Sequence, residues 1–130
     1  MKEVVEEGRR AALTTLDRRG YPHAVPVVYA VYGDDLVTPI DRKPKTGKPL
    51  GRRLNIERNP NVTILVDRWS EEWTGLAWVM ARGKASIRPA EASLAELEAI
   101  VARYPGYRHI IEASEVIQVA VERLSWWSWE

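Results

Sequence analysis

Apolar residues along this chain recur in short runs that alternate with polar residues, a pattern typical of β-strands in a half-buried sheet. Gly, Asp and Pro residues separate the runs and favour turns. The pattern predicts six strands, at residues 11–16, 23–32, 36–40, 62–67, 76–87 and 116–124. Gly83 is expected to weaken or bulge the fifth strand, because glycine has no side chain to pack within a sheet.

The second of these runs is apolar on both faces, which predicts a strand that is covered on both sides. A barrel interior on one side and a subunit interface on the other would provide that cover. Pro22 and Pro26 cannot donate a hydrogen bond to a neighbouring strand. The strand is therefore expected to contain an unpaired or bulged stretch.

Two helices are predicted between the later strands. The first spans about residues 50–58 and ends before Pro60, because a residue that precedes proline avoids the helical region. The second follows Pro89 and places four apolar side chains on one face: Leu94, Leu97, Val101 and Tyr104. Residues 1–8 form a short polar lead compatible with a helix. Early hairpins and later single helices favour one antiparallel barrel domain, residues 1–130, with peripheral helices.

Composition fits a soluble globular domain, with 45% hydrophobic and 28% charged residues among 130. We expect a cytoplasmic protein without a membrane partner, since no segment resembles a membrane span or a signal peptide. The absence of cysteine excludes disulfides, thiol nucleophiles and Cys-ligated zinc. A formal net charge of only +1 argues against a nucleic-acid partner.

The small net charge conceals a strongly basic segment. Residues 42–53 carry six basic side chains and no acidic one, and the rest of the chain has 13 basic and 18 acidic residues, a balance of −5. Ammonium and guanidinium groups before a helix N-terminus suit a phosphate. A solvated basic loop is the alternative, and composition does not decide between them. The segment lacks the Gly-x-x-x-x-Gly-Lys-Ser/Thr pattern of a P-loop.

No catalytic constellation is recognised in the sequence. His23 and His109 lie far apart without an identifiable metal-binding partner, so we assign no metal ligand and no catalytic residue. Trp78 is expected in the core or in the wall of a cavity. Three further tryptophans follow the last strand: Trp126, Trp127 and Trp129. These either pack on their own barrel or cross a subunit interface near a planar ligand.

Several motifs in order resemble one family. Residues 20–27, Gly-Tyr-Pro-His-Ala-Val-Pro-Val, resemble the Gly-x-Pro-His-x-Val-Pro-Val strand pair of the pyridoxamine 5′-phosphate oxidase-like split barrels. Residues 41–45, Asp-Arg-Lys-Pro-Lys, are similar to the Asp-x-Lys-Pro-Lys loop of its coenzyme F420-dependent subgroup. Residues 54–62, with Asn55-Ile56 and Asn59-Pro60, resemble that subgroup's helix-to-strand segment, and the ending at 123–129 resembles its Trp-rich terminus. The resemblance covers residues 9–129.

The resemblance implies a mostly β fold, a six-stranded antiparallel Greek-key split β-barrel of the FMN-binding type, that forms a homodimer. It implies a flavin or deazaflavin at the dimer interface, with phosphate contacts from Lys43, Lys45 and Thr46. The ring and ribityl chain would be lined by two groups of residues: Val25, Pro26 and Val27, and Thr38 and Asp41. Further contacts would come from Arg53, Asn55, Trp78 and, from the second subunit, Trp126.

The function implied is an F420-dependent oxidoreductase that passes hydride from the reduced deazaflavin to a small conjugated electron acceptor. FMN is the alternative cofactor, since its phosphate has similar requirements, and a non-catalytic cofactor- or haem-binding protein is the alternative function. Arg123-Leu124-Ser125 stands in place of the Arg-Leu-His ending of true pyridoxamine phosphate oxidases. Oxidation of vitamin B6 is therefore not expected.

Overall fold

A computed structural model describes residues 2–40, 51–108 and 115–129. Their strands and helices are β1 (Ala11–Leu16), β2 (Pro22–Val27), β3 (Ala30–Tyr32), β4 (Asp35–Ile40), β5 (Asn61–Arg68), β6 (Ala77–Pro89), β7 (Glu115–Ser128), α1 (Lys2–Glu7), α2 (Gly51–Arg58) and α3 (Leu94–Arg103). The elements follow the predicted order closely. The last strand extends four residues beyond the prediction and takes Trp126 and Trp127 into the sheet.

The strands form one antiparallel sheet in the order β2-β1-β5-β6-β7-β4-β3. The mostly β architecture with peripheral helices is confirmed and is consistent with the split-barrel fold. The described chain has seven strands where six were predicted, because the run at residues 23–32 is divided into β2 and β3. Tyr29 lies at the division, with its side chain fully buried and its hydroxyl donating to the carbonyls of Val5 and Gly8.

The expectation that this run is covered on both sides is not met within one chain. Strand β2 lies at an edge of the sheet, pairs only with β1, and exposes most of its residues. Pro22 and Pro26 are compatible with this position, since an edge strand has a row of backbone groups without ladder partners.

Two apolar clusters form the core. The larger fills the barrel between the inward faces of the strands, and the smaller lies between α3 and the β3–β4 side of the sheet. The predicted face of α3 is correct for Leu97, Val101 and Tyr104, but Leu94 is exposed. Leu94 is the first residue of α3, and the buried positions of the helix start at Glu96 and Leu97. No helix of the described ranges is long and apolar enough to cross a membrane.

Helix α1 is fixed by contacts from distant parts of the chain. The Arg103 guanidinium donates to the carbonyl oxygens of Glu6, at 2.8 Å, and Gly8. Its Cζ lies 4.8 Å from the ring centroid of Tyr29 and 5.4 Å from that of Tyr104, in cation–π range. Burial raises the pKa of the Tyr29 phenol to about 12. Neutral Tyr29 and charged Arg103 together hold α1 against the barrel.

Strand β6 contains the irregularity expected at Gly83. The pairing of β6 with β7 shifts by one residue between Arg82 and Gly83. A Cβ atom at Gly83 would collide with the carbonyl oxygen of Ala120 on β7. Glycine is therefore required here by the close approach of two backbones.

Candidate cofactor-binding site

A groove runs across the outward face of the sheet. One part, of about 270 Å³, lies over β2, β1 and β5, and the other, of about 430 Å³, lies over β5, β6 and β7. Asp67 lines both parts, so they meet at this residue. Val25 and Pro26 line the first part, and Trp78 lines the second. The fold therefore brings three of the predicted site residues to one groove.

Strand register builds the wall of this groove. Asp67 on β5 is directly opposite Trp78 on β6, and Trp78 is opposite Trp127 on β7. Because alternate residues of a strand share a face, these three side chains stand in one row across the outward face. Trp78 is half-buried and Trp127 is exposed. The row presents two indole rings beside a carboxylate, an arrangement that suits a planar aromatic ligand with a polar edge.

Trp126 lies outside this row. It is paired with Val79, whose side chain is in the barrel core, so Trp126 belongs to the opposite face of β7 from Trp127. Trp126 is also largely exposed. Within one chain the groove is thus bordered by Trp127, while the inter-subunit role assigned to Trp126 is not tested by a single chain.

Three other predicted residues lie under the barrel surface. Val27 is buried in the larger core cluster. Thr38 shares the inward face of β4 with Leu36 and Ile40 and is 1% exposed, and its Oγ1 atom has no hydrogen-bond partner among the described residues. Asn55 is buried on α2, where its Nδ2 atom donates to Thr15 Oγ1 at 2.9 Å. Thr38 retains an unused polar atom, whereas Asn55 fixes α2 to β1.

Two neighbouring arginines of α2 differ in their partners. Arg53 forms a bidentate pair with Glu115, with distances of 2.9 and 3.1 Å, and a second pair with Glu57. Arg52 makes no ion pair or hydrogen bond with any residue of the described ranges, and its Nε atom is buried without a partner. Burial lowers the pKa of the Arg52 guanidinium below its usual value. Arg52 therefore has charge available for an anion, and the charge of Arg53 is compensated within the chain.

The start of α2 lies beside the edge strand. A Cβ atom added at Gly51 would be 3.6 Å from the imidazole of His23 on β2. His23 and Pro26 are separated by about 10 Å along β2, from the rise of about 3.3 Å per residue. His23 is paired with the buried Thr15 and Pro26 with Ala12, so their side chains lie on opposite faces of β2, and α2 starts beside the face opposite the groove.

The residues predicted to contact the phosphate lie in a part of the chain that the structure does not describe. Asp41, Lys43, Lys45 and Thr46 lie outside the described residues, so their contacts are not assigned. Sequence reasoning counted Arg52 within the basic segment without giving it a role. It assigned no role to Asp67, and it named Trp127 only as one of three terminal tryptophans that either pack on the barrel or lie near a ligand at a subunit interface. The sequence signal for these two was their position near the ends of long strands, where cross-strand register decides their neighbours.

Tryptophans also cluster beyond the groove. Trp73 and Trp129 are in edge-to-face contact, with ring centroids 6.2 Å apart and planes at 81°. Both are exposed, as is Trp69, which borders the groove. The described ranges contain no group of three or more His, Asp or Glu side chains that could hold a metal ion. The site is therefore aromatic and basic, and it presents binding groups in place of an acid–base pair.

The sequence matches a known family model over nearly its whole length. Residues 1–128 match the model described as pyridoxamine 5′-phosphate oxidase. That family contains oxidoreductases and binds flavins and related cofactors. No protein of curated function matches the chain by sequence.

Solved structures share the fold at low sequence identity. A conserved hypothetical protein from Mycobacterium tuberculosis superposes with a TM-score of 0.79 at 21% identity, over 97% of this chain and 81% of that one. A protein described as an F420 reductase superposes with a TM-score of 0.72 at 20% identity, over 95% and 94% of the two chains. A heme binding protein from Mycobacterium smegmatis superposes with a TM-score of 0.77 at 19% identity, over 96% of this chain and 51% of that one. At such identities the likeness shows the fold alone.

Proposed function

The chain belongs to the pyridoxamine 5′-phosphate oxidase family, and from this membership we propose that it is an oxidoreductase that uses coenzyme F420. FMN is the alternative cofactor. The observation that carries the proposal is the groove at Asp67, where Pro26 and an indole wall share the outward face of the sheet. Arg52, which has no partner among the described residues, lies at the start of α2, beside the free edge of the same strand β2. The motifs at residues 41–45 and 54–62 favour the deazaflavin over FMN.

The described residues fit such a cofactor in shape and charge. A planar tricyclic ring matches the groove between Pro26 and Trp78. His23 lies about 10 Å along β2 from Pro26 and on the other face, so a ribityl chain that starts from a ring in the groove would pass round the free edge of β2. A phosphate at that end would lie near the first turn of α2, where the Nε atom of Arg52 has no partner among the described residues. We propose that Lys43, Lys45 and Thr46 complete the phosphate site.

When bound, the reduced deazaflavin supplies a hydride to a small conjugated acceptor, and the protein binds and orients the two. Arg52 compensates the negative charge of the phosphate. Trp78 and Trp127 cover the ring and exclude water from its face. Pro26 closes the opposite wall without a backbone N–H that needs a partner. Asp67, at the junction of the two parts of the groove, is placed to accept a hydrogen bond from the polar edge of the ring.

We also propose that a second copy of this chain covers the groove, so that the active species is a homodimer. The edge strand β2 and the tryptophans around the groove leave a broad apolar area exposed on one chain. Exposed apolar areas of this kind mark interaction surfaces in soluble proteins. Sedimentation velocity tests this point. A sedimentation coefficient of a 14.8 kDa monomer at all concentrations would contradict it.

Titration of the protein with F420 and with FMN tests the cofactor, and the intrinsic tryptophan fluorescence is the signal. The matched pair Arg52→Gln and Arg53→Gln tests the site. A charge-assisted contact of about 1.5–3 kcal/mol predicts that Arg52→Gln weakens binding about 10- to 150-fold. Arg53→Gln is expected to change affinity less than threefold, because Glu115 and Glu57 already occupy Arg53.

Two results would contradict the proposal. One is the absence of binding of either cofactor at micromolar concentration. The other is equal loss of affinity in the two arginine variants, which would mean that α2 contributes only structure. Replacing Lys43 and Lys45 together by Ala should also weaken binding without unfolding the protein, because it removes two of the positive charges that we propose to hold the phosphate.

A further inference from the structure

A second cavity lies inside the barrel, on the other face of the strands that carry the groove. Its volume is about 310 Å³, and its deep wall is formed by Ile64 and Val66 of β5 and Val79 and Ala81 of β6. These four side chains are at most 2% exposed. Asp67 and Trp78 alternate with them and point to the outward face. The cavity is therefore separate from the candidate cofactor site.

The mouth of this cavity is also apolar. Val31 on β3 and Leu124 on β7 border it and are 43% and 42% exposed. Large aliphatic side chains at a rim, continuous with an apolar interior, favour entry of an apolar molecule over water.

The charged residues at the mouth define what can enter. The Nζ atom of Lys2 lies 3.8 Å from Oε1 of Glu6, so the two charges largely compensate each other. Asp34 and Asp35 remain, and Asp35 accepts a hydrogen bond of 2.7 Å from Gln118. The rim is therefore net negative, which disfavours a carboxylate headgroup.

Helix α1 provides the remaining wall, and it is held in place without a ligand. Val5 and Glu6 of α1 face the cavity, and their carbonyl oxygens accept hydrogen bonds from Tyr29 and Arg103 respectively. A wall that is already fixed requires little ordering when a ligand binds.

We propose that this cavity binds a small uncharged apolar molecule, such as a bicyclic aromatic or a medium-length alkyl alcohol, independently of the cofactor groove. An apolar cavity of about 150 Å³ in another protein stays free of water and binds benzene, and the present one has about twice that volume. Negative charge at the rim selects an uncharged ligand over a fatty acid of the same length.

The neutral fluorophore N-phenyl-1-naphthylamine tests the proposal by direct titration. We expect saturable binding to one site per chain at micromolar concentration. Ala81→Leu fills the cavity and should weaken binding at least tenfold. Ala120→Leu, the same substitution at an exposed position of β7, should leave affinity within twofold. Equal binding by the two variants would overturn the proposal.

Two further measurements keep the test decisive even if Ala81→Leu does not fold. On the unmodified protein, decanol should displace the fluorophore, and decanoate should do so at least tenfold less effectively. Failure of decanol to compete would place the fluorophore elsewhere and refute the proposal, and equal competition by decanoate would refute the role of the acidic rim. Trp73→Ala should leave the fluorophore affinity unchanged, and a loss would locate binding at the tryptophan cluster.

Discussion

The hydrogen bond between Asn55 and Thr15 should determine how firmly α2 is attached to the barrel. It joins two side chains that are 6% and 0% exposed, across 40 residues of sequence, with an N–O distance of 2.9 Å. Thr15→Val keeps the shape and the β-branch but removes the acceptor. The amide of Asn55 is then left without this partner in a buried site.

The expected cost follows from that burial. A buried donor that loses its acceptor costs about 1–3 kcal/mol, whereas replacement of both partners by apolar groups of similar shape is close to neutral. Thr15→Val and Asn55→Leu should therefore each lower the free energy of unfolding by about 2 kcal/mol. The free energy of unfolding of the double variant should be within about 1 kcal/mol of that of the unmodified protein. Its loss of stability would then be much smaller than the sum of the two single losses, whereas the effects of independent sites add up.

Urea unfolding followed by tryptophan fluorescence measures these differences. With a slope of about 2 kcal/mol/M, each single variant should lower the midpoint by about 1 M. Thr14→Val is the matched control, because Thr14 is the adjacent residue of β1 on the outward face, and it should change stability by less than about 0.5 kcal/mol. Additive effects of the two single substitutions, or a Thr15→Val variant as stable as Thr14→Val, would refute the reasoning.

Three further outcomes are expected. Gly83→Ala should lower stability by about 1–3 kcal/mol in urea unfolding because its Cβ meets the β7 backbone, while Gly106→Ala, with nothing within 4 Å, should be near neutral. Burial raises the pKa of Tyr29 from 10.0 to about 12, so Tyr29 ionises at a lower pH in the unfolded state than in the folded state. The free energy of unfolding should therefore decrease as the pH rises from about 10 to about 12, and Tyr29→Phe should reduce this decrease. Trp127→Ala should weaken cofactor binding more than Trp126→Ala does, because only Trp127 shares the face of the groove. Retention of the cofactor on filtration measures this difference. The reverse order would place the ring against the second subunit's tryptophan.

Local patterns in the sequence were sufficient for most of the fold. The alternating runs predicted the strand positions, Pro60 the end of α2, and Gly83 the position of the irregular pairing, although the extra residue there, Glu122, belongs to β7 and not to β6. Each of these depends on residues close together in the chain. The division at Tyr29 was not predictable in this way, because it depends on a hydroxyl that bonds to backbone carbonyls 21 and 24 residues away.

The candidate site was predictable only where a side chain belongs to a recognisable motif. Pro26 and Trp78 were identified, and the register brings them to one groove. The difference between Arg52 and Arg53 could not be read from the sequence, since it is created by Glu115, 62 residues from Arg53. The Trp-rich ending was expected to follow the last strand, whereas Ser125–Ser128 pair with β6 and belong to the sheet.

The attachment of α1 by Arg103 also constrains the order in which the chain can be completed on the ribosome. Arg103 is 97 residues from Glu6 and 95 residues from Gly8. At about 5–20 residues per second, Arg103 is therefore synthesised about 5–20 s after these two partners. During that interval the carbonyl oxygens of Glu6 and Gly8 lack the Arg103 guanidinium. The attachment of α1 is therefore completed in two stages, first by Tyr29, β5 and β6, and last by Arg103 at the end of α3.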